Sequence, residues 1–516
     1  MNDNEVNRTS SRVRILLLVI LMAGLAGSSL AQSDPQPLNI RYRGDISGLD
    51  PQFTSSLNDI GVVDNIYSQL VRFETGTADI VGDLATEWEI SADGLTYTFK
   101  LREGVQWHRG YGEVTSADVK WTFERYLGTE SVSSLRFDWL TIDRIETPDE
   151  YTVVFVLSEP DAPFLSKLGY PRGTGIANQQ AIEEFGDEYT FNAIGSGPYM
   201  LERWVPGERI ELVANPDYYE PGLPRTRRIN LIPIASDIVA AGAIETGELQ
   251  LGLFRDPDVV ARLSALPGIA LDTASQSALS GLYYDMRSPP FDDHRVRQAV
   301  HHAINKDELV SSVLGGLATV AVSPFPPFVR GFTADVLEYA YDPALARELL
   351  TEAGYPDGFS VTLLSTQLEP WPLVGPILQF YLGEVGIDIE LRQLEHGTYG
   401  SEREIANYDM VVYTRTGLPD PMTWTGLFHS RTVPPGINSS WYSNPAVDEL
   451  IDTALVTVDP AERADMYETV LQQVMEDAAL VPLFHVGVQV LRAENIEGFD
   501  VPIGHDFPLK TVQAVD

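Results

Sequence analysis

Residues 86–105 read TEWEISADGLTYTFKLREGV. Leu95, Tyr97, Phe99 and Leu101 alternate with Thr96, Thr98, Lys100 and Arg102. That period of two marks a strand with one buried face. Trp88 and Ile90 lie before it, and Asp93-Gly94 supplies the turn that folds the two segments into an antiparallel pair. A similar strand runs through YTVVFVL (151–157), led by Pro148-Asp149. Between them, VTSADVKWTFERYL (114–127) reads as a helix: Thr115 is the candidate N-cap, and Asp118 stands three positions later in capping-box spacing. Strands and a helix thus alternate within seventy-odd residues, which predicts a mixed α/β architecture.

Working outward, the alternation continues. SDIVAAGAIETGELQLG (236–252) predicts a capped helix closed by Gly247. FDDHRVRQAVHHAINKDELVSSVLGG (291–316) predicts a long helix opened by Asp292 and Asp293 and ended by glycines. In YDPALARELLTEAGYPDGF (341–359), Asp342 is the cap, Pro343 takes the first helical position and Gly354 lies past the end. The strand-like runs IELRQL and MVVYT follow, and then two more helices broken at Asp459-Pro460. There is no fixed-period repeat and no low-complexity linker. Lobes without a linker imply a chain that crosses between them more than once.

Bulk properties bound the function. Arg8, Arg12 and Arg14 precede the apolar run ILLLVILMAGLAG (15–27), and Ser29 and Ala31 fit a signal-peptidase site with Gln32 as the new N-terminus. The run falls short of the roughly 18–20 residues that span a bilayer, so residues 1–31 are expected to be a cleaved export signal. The chain has no cysteine, which excludes both a lipid anchor at that site and disulfides. At 516 residues it has the length for about two to four domains held by their own cores. A net charge of −39 repels nucleic acid and anionic lipid and is expected of a solvated acidic surface.

Several segments carry a resemblance. GLDPQ (48–52), GDLATEWEISADGLTYTFKLREGVQWH (82–108), VTSADVKWTFER (114–125) and GSGPYMLERWVPGERIELVANPDYY (195–219) resemble the family 5 extracellular solute-binding proteins of bacterial ABC importers, the dipeptide, oligopeptide and nickel type. PPFDDHRVRQAVHHAINKDEL (289–309), AGYPDGF (353–359) and YSNPAVDELIDTA (442–454) extend the match over nearly the whole chain. Two departures stand out: the family's usual HDG is His108-Arg109-Gly110, and Asp285 replaces the usual asparagine. The resemblance implies a two-lobed periplasmic-binding-protein (Venus flytrap) fold with an inserted subdomain in lobe one. By analogy lobe one comprises 32–75, 193–281 and 487–516, the insertion 76–192 and lobe two 282–486. The implied hinge is the pair of crossings near 281 and 486. It further implies a periplasmic monomer that takes up a small-molecule or peptide ligand and docks on the permease subunits of an importer.

The competing class is a secreted hydrolase. No G-x-S-x-G elbow, phosphate loop or H-E-x-x-H occurs, and nothing marks out a carboxylate pair. The eight histidines are scattered, and only His294, His301 and His302 share a predicted helix. The resemblance makes that helix a packing element, so no metal centre and no cofactor is expected, although a metal chelate remains a conceivable cargo.

The resemblance also points to YTRTGLPDPMTWTG (413–426) as a loop lining the cleft. In peptide receptors of this type an aspartate three residues before the loop's acid-proline step captures the peptide ammonium. Here Asp420-Pro421 matches that step, and the position three residues earlier is Gly417. Arg415 adds a cation suited to a carboxylate through a bidentate, charge-assisted contact. The expected ligand-binding residues are therefore Arg415, Gly417 and Asp420, with Trp424 and Trp371 as stacking surfaces, together with Tyr413 and with Tyr283 and Tyr284, of which alternation allows one to face the cleft. An ammonium would then be met elsewhere, with Asp285 or Glu369 as candidates. The expected ligand is a peptide by family habit; the alternative is an oligosaccharide, an opine-like solute or another carboxylated solute.

Overall fold

The computed structural model describes residues 36–515 apart from 55, 129–132, 276–277 and 502–506. The expected export signal, residues 1–31, lies outside the described residues.

The chain opens with β1 (Leu38–Tyr42). The stretch quoted first forms β2 (Ala85–Ile90) and β3 (Thr96–Leu101), antiparallel, with Trp88 opposite Phe99 and Gly94 at φ +69° in the turn. Tyr97, Phe99 and Leu101 are buried, as the alternation predicts, and each such side chain contributes about 1.5–3 kcal/mol. Helix α1 (Ser116–Leu127) starts at Thr115, whose backbone N–H donates to Asp118 Oδ2 at 2.8 Å in a complete capping box. Strands β4 (Ile142–Asp149) and β5 (Thr152–Leu157) complete a four-stranded sheet in the order β2-β3-β5-β4.

The main sheet is built from both halves of the chain. Its first half contributes β6 (Tyr199–Val205), β7 (Arg209–Ala214), β8 (Arg228–Pro233), β9 (Leu251–Phe254) and β10 (Ile269–Ser275). Helices α2 (Asp237–Glu245, capped by Ser236) and α3 (Pro257–Ser264, capped by Asp256) pack nearby. The second half contributes β11 (Ala278–Tyr284), β12 (Ala318–Val320), β13 (Phe359–Thr366), β14 (Ile387–Leu394), β15 (Met410–Thr416) and the long β16 (Val481–Ala493). The order is β14-β13-β15-β11-β16-β9-β1-β8-β7-β6, with β10 and β12 also on β16. Strand β16 joins the halves: residues 481–486 pair with β11 and β12, and 487–493 with β9 and β10.

The cores divide accordingly. One cluster joins Ile40 and Leu231 of the main sheet to Phe99, Phe123 and Phe155 of the four-stranded sheet. Two others lie in the second half, around Leu282, Leu363 and Val412 and around Tyr283, Trp424 and Tyr467. Helices α4 (His294–Ala303), α5 (Pro343–Glu352), α6 (Trp371–Glu384), α7 (Pro445–Val456) and α8 (Pro460–Glu476) supply much of that packing. The expected caps Asp293 and Asp342 accept backbone N–H bonds, and at the expected break Asp459 does the same as the cap of α8. The long helix predicted from 291 to 316 does not form as one piece. It stops at Ile304, where Asn305 caps a new turn that continues as a π-turn over Leu309–Val313. An asparagine competes with the helix ladder for backbone N–H groups, which makes it a natural restart point.

Candidate functional site

Strands β1 and β9 are adjacent and parallel, with Ile40 beside Leu251. In an open α/β sheet the crevice beyond the carboxyl ends of parallel strands is where ligands bind. Arg43 follows the end of β1 and Arg255 follows the end of β9, so the topology brings the two guanidinium side chains to one edge. There they border a cavity of about 600 Å³. The facing wall comes from the second half: Leu368 to Trp371, His396 and Tyr399, and Tyr413, Thr414 and Thr416 of β15. Val486 and Val488, on either side of the pairing switch in β16, also line it.

The charges are asymmetric. Arg41 lies behind the cavity wall, essentially unexposed, and is fully committed: it donates to Ile234 O, Leu253 O and Ala235 O and pairs with Asp237 at 2.7 Å. Asp237 also accepts the backbone N–H groups of Arg255 and Asp256, at 2.7 and 2.8 Å. Desolvation acts against its charge, but these donors and Arg41 outweigh it and hold its carboxyl below the usual range. Arg43 and Arg255 are half-buried, and neither guanidinium group has a hydrogen bond or ion pair among the described residues. Desolvation, then repulsion from Arg43, pushes the Arg255 guanidinium down to about 9, with Asp237 opposing; it is still charged at neutral pH. Burial lowers Arg43 in the same direction. On the second-half wall Glu369 is exposed and makes no hydrogen bond or ion pair among the described residues; partial burial and then Asp256 and Asp237 raise its pKa, and attraction to Arg43 opposes them.

Of the residues expected from sequence, Tyr413 and Trp371 border this cavity. The Arg403 guanidinium covers the Tyr413 ring at 4.6 Å. Trp371 is nearly buried against Phe484, yet its indole N–H has no partner among the described residues. Gly417 borders a second cavity of about 390 Å³, with Leu418, Pro419, Gln69, Arg72 and Lys510.

The others sit differently. Arg415 turns back on its own loop, its Nε and Nη2 donating to Thr423 O at 3.1 and 3.0 Å. Asp420 is buried; it pairs with Arg463 at 3.3 Å and accepts from Ser166 Oγ at 2.8 Å and from the Met422 N–H at 2.9 Å. Trp424, expected as a stacking surface, is wholly buried and donates its indole N–H to Leu418 O at 2.8 Å. Tyr283 and Tyr284 are also wholly buried, and the Tyr284 hydroxyl donates to Ala478 O. Strand β11 is buried along its whole length, with Tyr284 in one core cluster and Tyr283 in the other, so alternation turns neither tyrosine to solvent. Asp285 is spent on Arg287, at 2.5 Å. Of the two candidate ammonium partners, only Glu369 borders the larger cavity. His294 Nε2 donates to Glu476 O, and the His301 ring packs at a tilt on Tyr339 at 4.1 Å.

Sequence reasoning missed Arg43 and Arg255. A signal existed in IRYRG and LFRDP: in a chain this acidic, an arginine just past each of two apolar strands is unusual. Only the parallel pairing of β1 with β9 makes them neighbours.

A mixed sheet whose two halves share one long strand, with a charged cavity between the halves, defines a receptor that encloses a solute. The comparisons agree. The profile of the bacterial extracellular solute-binding proteins, family 5 middle, matches residues 79–433, and the chain belongs to that family. It is 29% identical over 508 residues to Di/tripeptide-binding protein 2 of Pseudomonas aeruginosa (strain UCBPP-PA14), covering 93% of this chain and 95% of that one. It is 29% identical over 506 residues to the glutathione-binding protein GsiB of Shigella dysenteriae serotype 1 (strain Sd197), covering 95% and 96%. Among solved structures, the ABC transporter-associated periplasmic binding protein DppA from Helicobacter pylori, in complex with the peptide STSA, superposes with a TM-score of 0.79 at 28% identity, covering 93% and 98%. Among the described residues no helix is long and apolar enough to cross a membrane.

Proposed function

We propose that the protein encloses a small peptide between two lobes, outside the cytoplasm, and presents it chemically unchanged to the membrane permease of an ABC importer. The observation that carries this reading is the cavity of about 600 Å³ whose walls come from opposite halves of the chain and bear opposite unpaired charges. The ligand class follows the di/tripeptide- and glutathione-binding relatives and the peptide-bound structure. Glu369 then meets the ammonium, and Tyr413 and Trp371 supply ring faces and one indole N–H.

In this reading lobe one comprises residues 32–75, 193–281 and 487–516, residues 76–192 form the insertion and residues 282–486 are lobe two. The hinge is the pair of crossings near 281 and 486, and the change of pairing along β16 at Val486–Gly487 supports the second. Residues 1–31 act as a cleaved export signal.

Mass spectrometry of ligand released from the purified protein, with a thermal-shift panel of di- and tripeptides, tests the proposal. At least one free peptide should raise the melting temperature and be recovered intact. A panel that leaves it unmoved, or a ligand consumed on incubation, would overturn it.

A further inference from the structure

We propose that Arg43 and Arg255 form an anion subsite that selects a ligand with one ammonium and two carboxylates, such as an acidic di- or tripeptide; this deepens, and rests on, the peptide-receptor reading. The charges lining the cavity set the stoichiometry. Arg41 is neutralised by Asp237 behind the wall, which leaves Arg43 and Arg255 on one side of the cavity and Glu369 on the other. A simple zwitterionic peptide answers one arginine and the glutamate. The second arginine then stays unpaired in a half-buried position, where a guanidinium without a counter-charge is costly.

Three features make the pair a built site. Each arginine is held at the end of a strand in the middle of the main sheet, so its backbone is fixed by the parallel pairing of β1 and β9. Arg41 occupies the local carbonyl acceptors Ile234 O, Ala235 O and Leu253 O, and Asp237 is filled by Arg41 and two backbone N–H groups. These groups are thereby occupied; Glu369 still attracts Arg43 from the cavity wall, and one carboxylate does not neutralise two guanidinium groups. Mutual repulsion, moreover, weakens the hold of Arg255 on its proton, and a bound dianion would relieve it. Guanidinium forks grip carboxylates through two parallel N–H bonds, so two adjacent forks discriminate a carboxylate from its isosteric amide.

Calorimetry on the purified full chain would compare Ala-Glu, Ala-Gln and Ala-Ala, for wild type, Arg43→Met, Arg255→Met and Glu369→Gln. Thermal shift at matched ionic strength would compare glutarate with the neutral glutaramide. The expected result is at least tenfold tighter binding of Ala-Glu than of Ala-Gln by wild type, falling below twofold in Arg255→Met and in Arg43→Met. Glutarate should raise the melting temperature of wild type and not of the arginine variants, and glutaramide should raise neither. Glu369→Gln should keep the Ala-Glu preference while weakening all three dipeptides. Dipeptides that bind equally well, or a preference that survives both arginine variants, overturn the anion subsite and leave the peptide reading standing. A glutarate response that depends on the arginines, without binding of any dipeptide, supports the subsite and overturns the peptide reading.

Discussion

Gly417 stands where a peptide receptor of this type would hold its ammonium-binding aspartate, and the structure explains why a side chain is missing there. A Cβ on Gly417 would meet Thr423 Oγ1 at 2.6 Å and the Trp424 ring at 2.8 and 2.9 Å. Trp424 is wholly buried and its N–H is engaged, so the ring has nowhere to go. Gly417→Asp is therefore expected to cost about 1–3 kcal/mol of stability, as overpacking does, without creating an ammonium site. A lowered unfolding midpoint with no gain in peptide affinity is the expected outcome; tighter binding of a free-amine peptide would contradict it. Arg415, two residues earlier, serves the same loop. Arg415→Met should lower stability by about 0.5–3 kcal/mol while changing peptide affinity far less than Arg255→Met, which paired denaturation and calorimetry would read. The resemblance singles this loop out as one that lines the cleft. What it could not tell was which way each side chain points, because an aromatic residue in a loop reads the same whether it packs inward or faces a ligand. Trp371 and Trp424 looked equivalent, and only Trp371 borders the cavity.

Strand β16 shows what periodicity reads well and what it does not. The helical reading of the segment before it runs on through VPLF, whereas the helix ends at Glu476 and the strand begins at Val481; nothing in the run announces that residues 481–486 pair with one half of the sheet and 487–493 with the other. The local elements were more legible. Caps at Thr115, Asp342 and Asp459 and the Asp93-Gly94 turn rest on neighbouring residues, so the sequence contains the whole cause. His485 lies just before the pairing switch, with Nδ1 at 3.0 Å from Ala278 O across the crossing. Burial pushes its pKa from 6.5 down to about 4, partly opposed by that carbonyl. Between those values the unfolded chain holds a proton that the folded chain excludes. Stability is thus complete above about pH 6.5 and declines as pH falls towards 4, by about 3 kcal/mol for a shift of this size. His108, buried between Gly195 N and Gly197 O and lowered to about 4 by the same cause, acts in the same direction. His485→Gln should flatten the dependence of the melting temperature on pH between 7 and 4. Curves that run parallel for variant and wild type would remove His485 from that account.

At the scale of the whole molecule the cavity is assembled from positions more than three hundred residues apart, Arg43 and Tyr413 among them, which is why its chemistry was the least legible part of the sequence. The two halves also touch away from the cavity. Ser166, just beyond the four-stranded sheet, donates to Asp420 Oδ2, Ala162 N–H donates to Leu455 O at 2.9 Å, and Arg330 Nη2 donates to Ala78 O at 3.1 Å. In the proposed flytrap these bonds exist only when the lobes are closed, whereas Asp420 keeps Arg463 within its own half in either state. A bond present in the closed state alone adds to apparent ligand affinity without touching the ligand, because binding is measured against the open state. A hydroxyl bond to a carboxylate is worth about 1.5–3 kcal/mol net, or roughly tenfold or more in Kd. Ser166→Ala is accordingly expected to raise the Kd of the best-binding dipeptide by about tenfold or more, with little change in the unfolding midpoint of the unliganded chain. Small-angle scattering should show a smaller radius of gyration in wild type at saturating dipeptide than without it. The variant should reach the same compact radius, but only at correspondingly higher dipeptide concentration. A radius that does not respond to bound dipeptide, together with an unchanged Kd in Ser166→Ala, would mean that the halves move as one rigid body and that the long shared strand is a strut, not a hinge.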